Sequence, residues 1–186
     1  MRLIPGLLSL LCLLSLLAAL PAPAEVPTLP DAVGKRIKSA PEAFVEAAAV
    51  LIMGYGGEDG IDRAGVENYI ALERSGARAS ALRRLLAADL DGDGAVTAVE
   101  MAVAAAAASA TQRGRLWALQ ARADADGNGV VSAVEVGVHA QAEAMKGFSE
   151  ARAQAARAIL GFDGDGDGWV TLDEVRAVVE ALNEAA

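Results

Sequence analysis

The sequence predicts an all-α protein built from repeated helix–loop–helix units. Aromatic residues make up 4% of the 186 residues although apolar residues make up 54%, which is too few for the core of a typical sandwich or barrel. Apolar residues recur at helical spacing, as at Val175, Val178, Val179 and Leu182. Three acidic, glycine-rich segments separate such stretches. A valine inside each segment suits a short strand contact between neighbouring loops.

The charge balance excludes one class of partner. The chain has 25 Asp and Glu against 16 Lys and Arg, which gives a formal net charge of −9 at pH 7. Proteins that bind nucleic acid need a basic surface to contact the phosphates. We therefore expect no nucleic-acid partner.

Residues 1–24 have the layout of a secretory signal peptide. Arg2 is their only charge, residues 7–20 are largely apolar, and Ala22 and Ala24 place small residues before the expected cut. The apolar stretch is short for a bilayer span. Cleavage would remove Cys12, the only cysteine, and take the formal charge from −9 to −10. The sequence predicts an exported protein, periplasmic or secreted, without a stable membrane span after cleavage. An uncleaved anchor is the alternative.

Residues 25–39 carry Pro27, Pro30 and Gly34 and are predicted to be a flexible linker. A helix is expected to follow, with Ser39 as its N-cap and Glu42 three residues later.

Three twelve-residue segments share one pattern. They are loop two (89–100), loop three (124–135) and loop four (163–174), and their first residues are 35 and 39 positions apart. Each has Asp at positions 1 and 3, Asp or Asn at position 5, Gly at position 6, Ser or Thr at position 9 and Glu at position 12. This is the EF-hand calcium-loop pattern.

The chemistry of Ca²⁺ explains the residue types, because this hard cation prefers six to eight oxygen ligands. Positions 1, 3, 5, 9 and 12 would offer side-chain oxygens and position 7 its backbone carbonyl. The predicted ligands of three Ca²⁺ ions are Asp89, Asp91, Asp93, Ala95, Thr97 and Glu100; Asp124, Asp126, Asn128, Val130, Ser132 and Glu135; and Asp163, Asp165, Asp167, Trp169, Thr171 and Glu174. The pairs from position 9 to position 12 would also cap the following helices without any metal.

A fourth, weaker copy of the pattern precedes these three. In loop one (54–65) Ile61 falls at position 8 and Asp62 at position 9, but glycines stand at positions 1, 3 and 12. We interpret loop one as a degenerate hand that keeps a packing role and holds no ion. A chance glycine-rich turn is the alternative.

The chain therefore resembles the EF-hand superfamily, as a calmodulin-like array of four hands over about residues 40–185. The resemblance implies two pairs of hands, residues 40–112 and 113–186, each joined by a short β contact between its loops. In this arrangement Val170 would pair with Val131. A related exported lanthanide-binding family typically has Pro at position 2 of the loop, where this chain has Leu90, Ala125 and Gly164.

The resemblance implies an exported calcium-binding protein that acts as a sensor, buffer or adaptor. An interaction module with structural Ca²⁺ and a lanthanide-binding protein are the alternatives, and a protein target is an open possibility. Three methionines remain in the mature chain, whereas a calmodulin-type target groove is Met-rich. His139 is the only histidine, and no nucleophile with a base is visible. We therefore expect no enzyme activity.

Overall fold

The computed structural model describes residues 29–184, so the predicted signal peptide lies outside the described residues. The helices are α1 Asp31–Ser39, α2 Pro41–Tyr55, α3 Arg63–Leu86, α4 Ala98–Ala106, α5 Ala110–Ala123, α6 Ala133–Gly147, α7 Glu150–Arg157, a 3-10 helix Ala158–Phe162 and α8 Leu172–Glu184. Two short strands, β1 Val96–Thr97 and β2 Val130–Val131, lie in loops two and three. The predicted all-α fold class is confirmed. Among the helices of residues 29–184, none combines the length and apolar character that crossing a membrane requires.

The loops pair differently from the prediction. Strands β1 and β2 join loops two and three in antiparallel fashion, with Val96 opposite Val131. Loops one and four meet in an antiparallel bridge in which Ile61 and Val170 exchange backbone hydrogen bonds of 3.0 and 2.9 Å. The predicted partners, loop one with two and loop three with four, are wrong, as is the pairing of Val170 with Val131.

The length of α3 explains this pairing. The helix runs unbroken over 24 residues, which at 1.5 Å per residue is about 36 Å. Loop one lies at its N-terminal end and loop two at its C-terminal end, so these two loops cannot touch. The segment between loops two and three is interrupted instead, because α4 ends and Ser109 starts a second helix, α5, as its N-cap. The Ser109 Oγ accepts from the Gln112 N–H at 3.4 Å, and Gln112 Oε1 accepts from the Ser109 N–H at 3.3 Å.

Two hydrophobic cores follow the observed loop pairs rather than the predicted ranges 40–112 and 113–186. The inner core, around loops two and three, contains Leu85, Ala88, Val96, Met101, Leu119, Ala123, Val131 and Val136. The outer core, around loops one and four, contains Val33, Ile37, Ala48, Ile52, Ile61, Val66, Ile70, Phe148, Ala153, Ile159, Phe162, Val170, Val175, Val178 and Val179. Helix α3 contributes to both cores.

Residues 31–39 were predicted to belong to a linker, but they form helix α1. Val33 and Ile37, one turn apart, are buried in the outer core, and burying two branched side chains stabilises the helix against fraying. Ser39 is the last residue of α1 and its Oγ donates to the Arg36 carbonyl at 3.1 Å. It is therefore not the N-cap of α2, which begins with Pro41, a residue well suited to the first helical position.

Small residues let α3 and α6 pack closely. Ala81 of α3 and Ala140 and Ala144 of α6 are buried. Near the end of this contact, a Cβ on Gly147 would lie 2.8 Å from the Cβ of Ala77. The two helices therefore form a seam that joins the inner and outer cores.

Ion pairs attach α7 to α3. Arg157 pairs with Glu67 of α3 at 2.6 Å and with Glu150 at 2.8 Å, and Arg74 of α3 also pairs with Glu150 at 2.8 Å. Hydrogen bonds from these guanidinium groups lower the pKa of Glu67 and of Glu150. Because the pairs are largely exposed, we expect them to orient α7 more than to stabilise it.

The seam gives a stability prediction with a control on the same helix. Gly147→Ala should lower the free energy of unfolding by about 1–3 kcal/mol, because the added methyl overpacks the contact with Ala77. Gly137→Ala should instead raise it by about 0.5–1 kcal/mol, since no atom lies within 4 Å of the added Cβ and alanine favours the helix. Urea unfolding of both variants tests this. Equal effects of the two substitutions would contradict the close approach at Gly147.

Candidate metal centres

Loop two is held closed by its own backbone N–H groups. The N–H of Gly94 donates to Asp89 Oδ2 at 3.0 Å. Glu100 accepts from the Leu90 N–H through Oε1 at 2.8 Å, and from both the N–H and the hydroxyl of Thr97 through Oε2 at 2.8 Å. These bonds draw the first and twelfth positions of the loop together.

Loops three and four repeat this network. The N–H at position 6 donates to the first Asp, from Gly129 to Asp124 at 2.9 Å and from Gly168 to Asp163 at 3.0 Å. The N–H at position 2 donates to the last Glu, from Ala125 to Glu135 at 2.7 Å and from Gly164 to Glu174 at 2.8 Å. Ser132 and Thr171 bond to the second oxygen of these glutamates, as Thr97 does. Three separate segments therefore fold in the same way.

The turn at position 6 requires glycine. Gly94 has φ +85°, with +87° at Gly129 and +90° at Gly168, a region that residues with a Cβ rarely adopt. This conformation directs the N–H at position 6 back to the first Asp.

Each closed loop brings three acidic side chains together. One carboxylate oxygen from each lies within 4.8 Å of the other two. The three triads are Asp89, Asp91 and Glu100; Asp124, Asp126 and Glu135; and Asp163, Asp165 and Glu174. All nine residues belong to the predicted ligand set, and each triad is a group that could hold a metal ion.

The other predicted ligands have different contacts. At position 5, Asp93, Asn128 and Asp167 each accept the N–H of the residue two positions later at 2.8 Å, which braces the turn. Those donors are Ala95, Val130 and Trp169, the position 7 residues whose carbonyls were the predicted ligands. At position 9, Thr97, Ser132 and Thr171 accept the N–H of the last glutamate at 3.2–3.3 Å. The first two are the N-caps of α4 and α6, so the predicted capping role is present beside the triads.

Backbone donors keep the glutamates charged. Hydrogen bonds from the Thr97 and Leu90 N–H groups, with the Thr97 hydroxyl, lower the pKa of Glu100 to about 2. Bonds from the N–H and hydroxyl of Ser132 and from the Ala125 N–H likewise lower the pKa of Glu135 to about 2. Burial raises the pKa of Glu174, but its hydrogen bonds from the Thr171 and Gly164 N–H groups outweigh this, and the net direction is downward.

The donor chemistry of the triads is uniform. Every member is a carboxylate, and His139, which lies half-buried on α6, belongs to none of the three. Carboxylate oxygens are the preferred ligands of hard cations, whereas Zn²⁺ and Cu⁺ sites are built mainly on imidazole or thiolate ligands. The sites therefore fit a hard cation.

Loop one differs in its backbone as well as its side chains. A Cβ at Gly56 would collide with the Gly60 carbonyl oxygen, and a Cβ at Gly65 would lie 2.6 Å from the Tyr55 carbonyl oxygen. Asp62 Oδ1 accepts the Gly65 N–H at 2.8 Å and caps α3. Within residues 29–184, the acidic triads lie outside loop one, which contributes a helix cap and the bridge to loop four instead.

One set of contributors was missed by sequence reasoning. The residues at position 2, Leu90, Ala125 and Gly164, hold the last glutamates through their backbone N–H groups. Their side chains share no chemistry, so the sequence offers no signal for this role.

Comparisons of the chain with protein-family models, curated proteins and solved structures found no match.

The lowered pKa values give a prediction for the metal-free protein. In the folded state Glu100 and Glu135 should titrate near pH 2, and in urea near their ordinary pKa of about 4.3. Because the pKa is lower in the folded state, both carboxylates stabilise the fold above the unfolded pKa. This contribution is lost as the pH falls from about 4.3 towards about 2.

NMR titration of the glutamate side-chain carbons in chelator measures both midpoints. Thr97→Val removes one hydroxyl donor and should raise the pKa of Glu100 while leaving that of Glu135 in place. A shift of both glutamates, or of neither, would contradict the assigned cause.

Proposed function

We propose that loops two, three and four are EF-hand calcium sites and that the chain is an exported Ca²⁺-binding protein that takes three ions at saturation. The main support is that three segments of equal length place a carboxylate triad within 4.8 Å by the same hydrogen bonds. Helix capping alone needs only the residues at positions 9 and 12. The further carboxylates at positions 1 and 3 would repel one another without a cation.

The spacing of the oxygens suits calcium. Ligand oxygens lie about 2.3–2.6 Å from Ca²⁺, so two oxygens on one ion are separated by at most about 4.6–5.2 Å. The triad oxygens lie within 4.8 Å of one another. In each loop the residues at positions 1, 3 and 12 would hold the ion, with further oxygens from positions 5 and 7. The bound ion supplies the positive charge that the triad lacks.

The pattern of loop contacts suggests how the sites interact. Loops two and three both carry triads, and β1 and β2 join them at position 8. Ordering one of these loops should therefore favour binding at the other. Loop four pairs with loop one, which has no triad, so the site in loop four should bind its ion independently of the other two. We propose two coupled sites and one independent site, in a protein that binds ions rather than catalyses a reaction.

Calorimetric titration of the mature protein should show three Ca²⁺ ions, with dissociation constants of about 10⁻⁵–10⁻³ M, the range of weak sensors and extracellular modules. At a free Ca²⁺ concentration of 100 times the dissociation constant, each site adds about 2.7 kcal/mol to the free energy of unfolding. A chelator should therefore lower Tm, and added Ca²⁺ should restore it. Binding of four ions would show that loop one also binds Ca²⁺. A Tm that is the same with and without chelator would overturn the proposal.

The coupling is tested by two matched substitutions. Glu100→Gln should weaken loop two and also lower the affinity of loop three by about fivefold or more, as expected for coupled sites. Glu174→Gln should weaken loop four and leave loops two and three unchanged. Because the N–H groups of Gly94, Gly129 and Gly168 bond to the triads, their NMR resonances report each site separately.

Glu180→Gln, on the exposed face of α8, controls for the loss of one charge. The coupling scheme fails if Glu174→Gln weakens loop three as much as Glu100→Gln does.

A further inference from the structure

A pocket of about 360 Å³ opens beside the outer core, between α2 and α7. Alanines line it on both helices, at Ala47 and Ala48 of α2 and at Ala155 and Ala156 of α7. Their methyl groups leave space that larger side chains would fill. The volume lies in the range of about 300–1,000 Å³ that is typical of small-molecule pockets.

The walls of the pocket are apolar and largely aromatic. Tyr55, Tyr69 and Phe148 line it. The ring centroids of Tyr55 and Tyr69 lie 5.0 Å apart with the planes at 63°, and those of Tyr69 and Phe148 lie 5.4 Å apart with the planes at 89°. These edge-to-face contacts hold the rings against one another. A planar ring of a ligand would therefore meet an aromatic wall that is already formed.

The charge of the pocket is positive, although the chain as a whole carries −9. Arg36 of α1 and Arg152 of α7 are the charged residues among its described lining residues. Within residues 29–184, neither arginine forms an ion pair with a carboxylate, whereas Arg74 and Arg157 do. Two guanidinium groups without an anionic partner in this part of the chain therefore border one apolar pocket.

The Arg152 side chain is held against the wall of the pocket. Its guanidinium carbon lies 5.6 Å from the centre of the Phe148 ring, within the range of a cation–π contact. Its Nη1 donates to the Gly147 carbonyl at 2.8 Å. This hydrogen bond uses one N–H of the guanidinium, so the remaining N–H groups can bind a carboxylate.

Tyr69 adds a neutral hydrogen-bond donor. Burial raises the pKa of its hydroxyl, Glu73 and Tyr55 raise it further, and Arg152 opposes them. The net direction is upward, so the hydroxyl keeps its proton at neutral pH and can donate to an anion.

We propose that this pocket binds a small aromatic carboxylate. The ring of the ligand would lie against Tyr55, Tyr69 and Phe148, and its carboxylate would pair with Arg36 and Arg152. A cavity of about 150 Å³ holds one benzene ring, so a pocket of about 360 Å³ accommodates about two fused rings.

The pocket is separate from the calcium sites. Its lining residues belong to none of the three triads. Arg36 lies on α1, before the first helix–loop–helix unit, so half of the positive charge comes from a segment outside the repeats.

The probe is 2-naphthoate, which joins two fused rings to one carboxylate. Calorimetric titration of the mature protein, in Ca²⁺ and in chelator, should show binding in at least one medium. A dissociation constant of about 1 mM or lower is expected for a ligand of this size. The analogue 2-naphthylmethylammonium has the same rings and the opposite charge. It should bind at least about tenfold more weakly, because both arginines repel it.

NMR locates the bound ligand by residue type. The chain has two tyrosines, and both line the pocket. The two tryptophans, Trp117 and Trp169, lie outside it. Nuclear Overhauser effects should therefore join the naphthoate protons to tyrosine ring protons and not to tryptophan ring protons.

Two double variants with the same change in net charge test the arginines. Arg36→Gln with Arg152→Gln should weaken naphthoate binding about 3- to 10-fold, as expected for the loss of two exposed pairs. Lys38→Gln with Arg63→Gln, on exposed positions of α1 and α3 outside the pocket, should leave the affinity unchanged.

Two further variants test the cavity at constant charge. Ala155→Leu places a larger side chain on an exposed position that lines the pocket and should weaken naphthoate binding about tenfold or more. Ala177→Leu, exposed on α8 and outside the pocket, should leave the affinity unchanged.

Five results would overturn the proposal. They are no binding of naphthoate in either medium, equally tight binding of the ammonium analogue, equal loss in the two double variants, an affinity that Ala155→Leu does not change, and Overhauser effects to tryptophan alone. Decanoate, a carboxylate with a flexible chain and no ring, serves as a competitor. If decanoate binds more tightly than naphthoate, the ligand is a fatty acid and the proposal is wrong.

Discussion

Helix α3 fixes the positions of two loops by its length. Because it spans 24 residues without a break, loops one and two lie at opposite ends of it, and each must find its β partner elsewhere. Loop two meets loop three, and loop one meets loop four, which arrives last in the chain. The same helix contributes Val66 and Ile70 to the outer core and Leu85 to the inner core. The two cores therefore share one structural axis instead of being joined by a linker.

The seam between α3 and α6 follows from this arrangement. Helix α6 leaves loop three, and its return along α3 brings Phe148 and α7 back to the outer core. Only small side chains allow that return at close range, as the contact of Gly147 with Ala77 shows. Arg74 and Arg157 then hold α7 on the flank of α3. The close packing of α6 and these ion pairs therefore join the two cores along α3.

The parts of the fold that sequence reasoning predicted are those governed by local rules. The loop residues bond to one another within twelve positions, so their spacing alone indicates the triads and the helix caps. The pairing of the loops depends on contacts between distant segments of the chain. A spacing of 35 residues between the first residues of two loops leaves room for one long helix or for two short ones, so the spacing does not predict which loops meet. A local signal did exist between loops two and three, where Ser109 and Gln112 form a capping box that starts a new helix, α5. Between loops one and two, α3 continues without a break through Ser75 and Gly76. Helix α1 was missed because Val33 and Ile37 form too short an apolar pattern among prolines and glycine, and only the outer core stabilises it.

The backbone of loop one resists conversion into a fourth metal site. Glycines stand at positions 1, 3 and 12 of this loop, and backbone atoms occupy the space that a side chain would need at two of them, Gly56 and Gly65. Gly60, at φ +115°, lies so close to loop four that a Cβ there would sit 2.5 Å from the Val170 carbonyl oxygen. An acidic side chain introduced at Gly56 would collide with the Gly60 carbonyl, directly beside the Ile61 bridge to loop four, before any site formed. Loop one thus supplies a fixed contact to loop four, and a protein engineer who wants a fourth site must replace the loop as a whole.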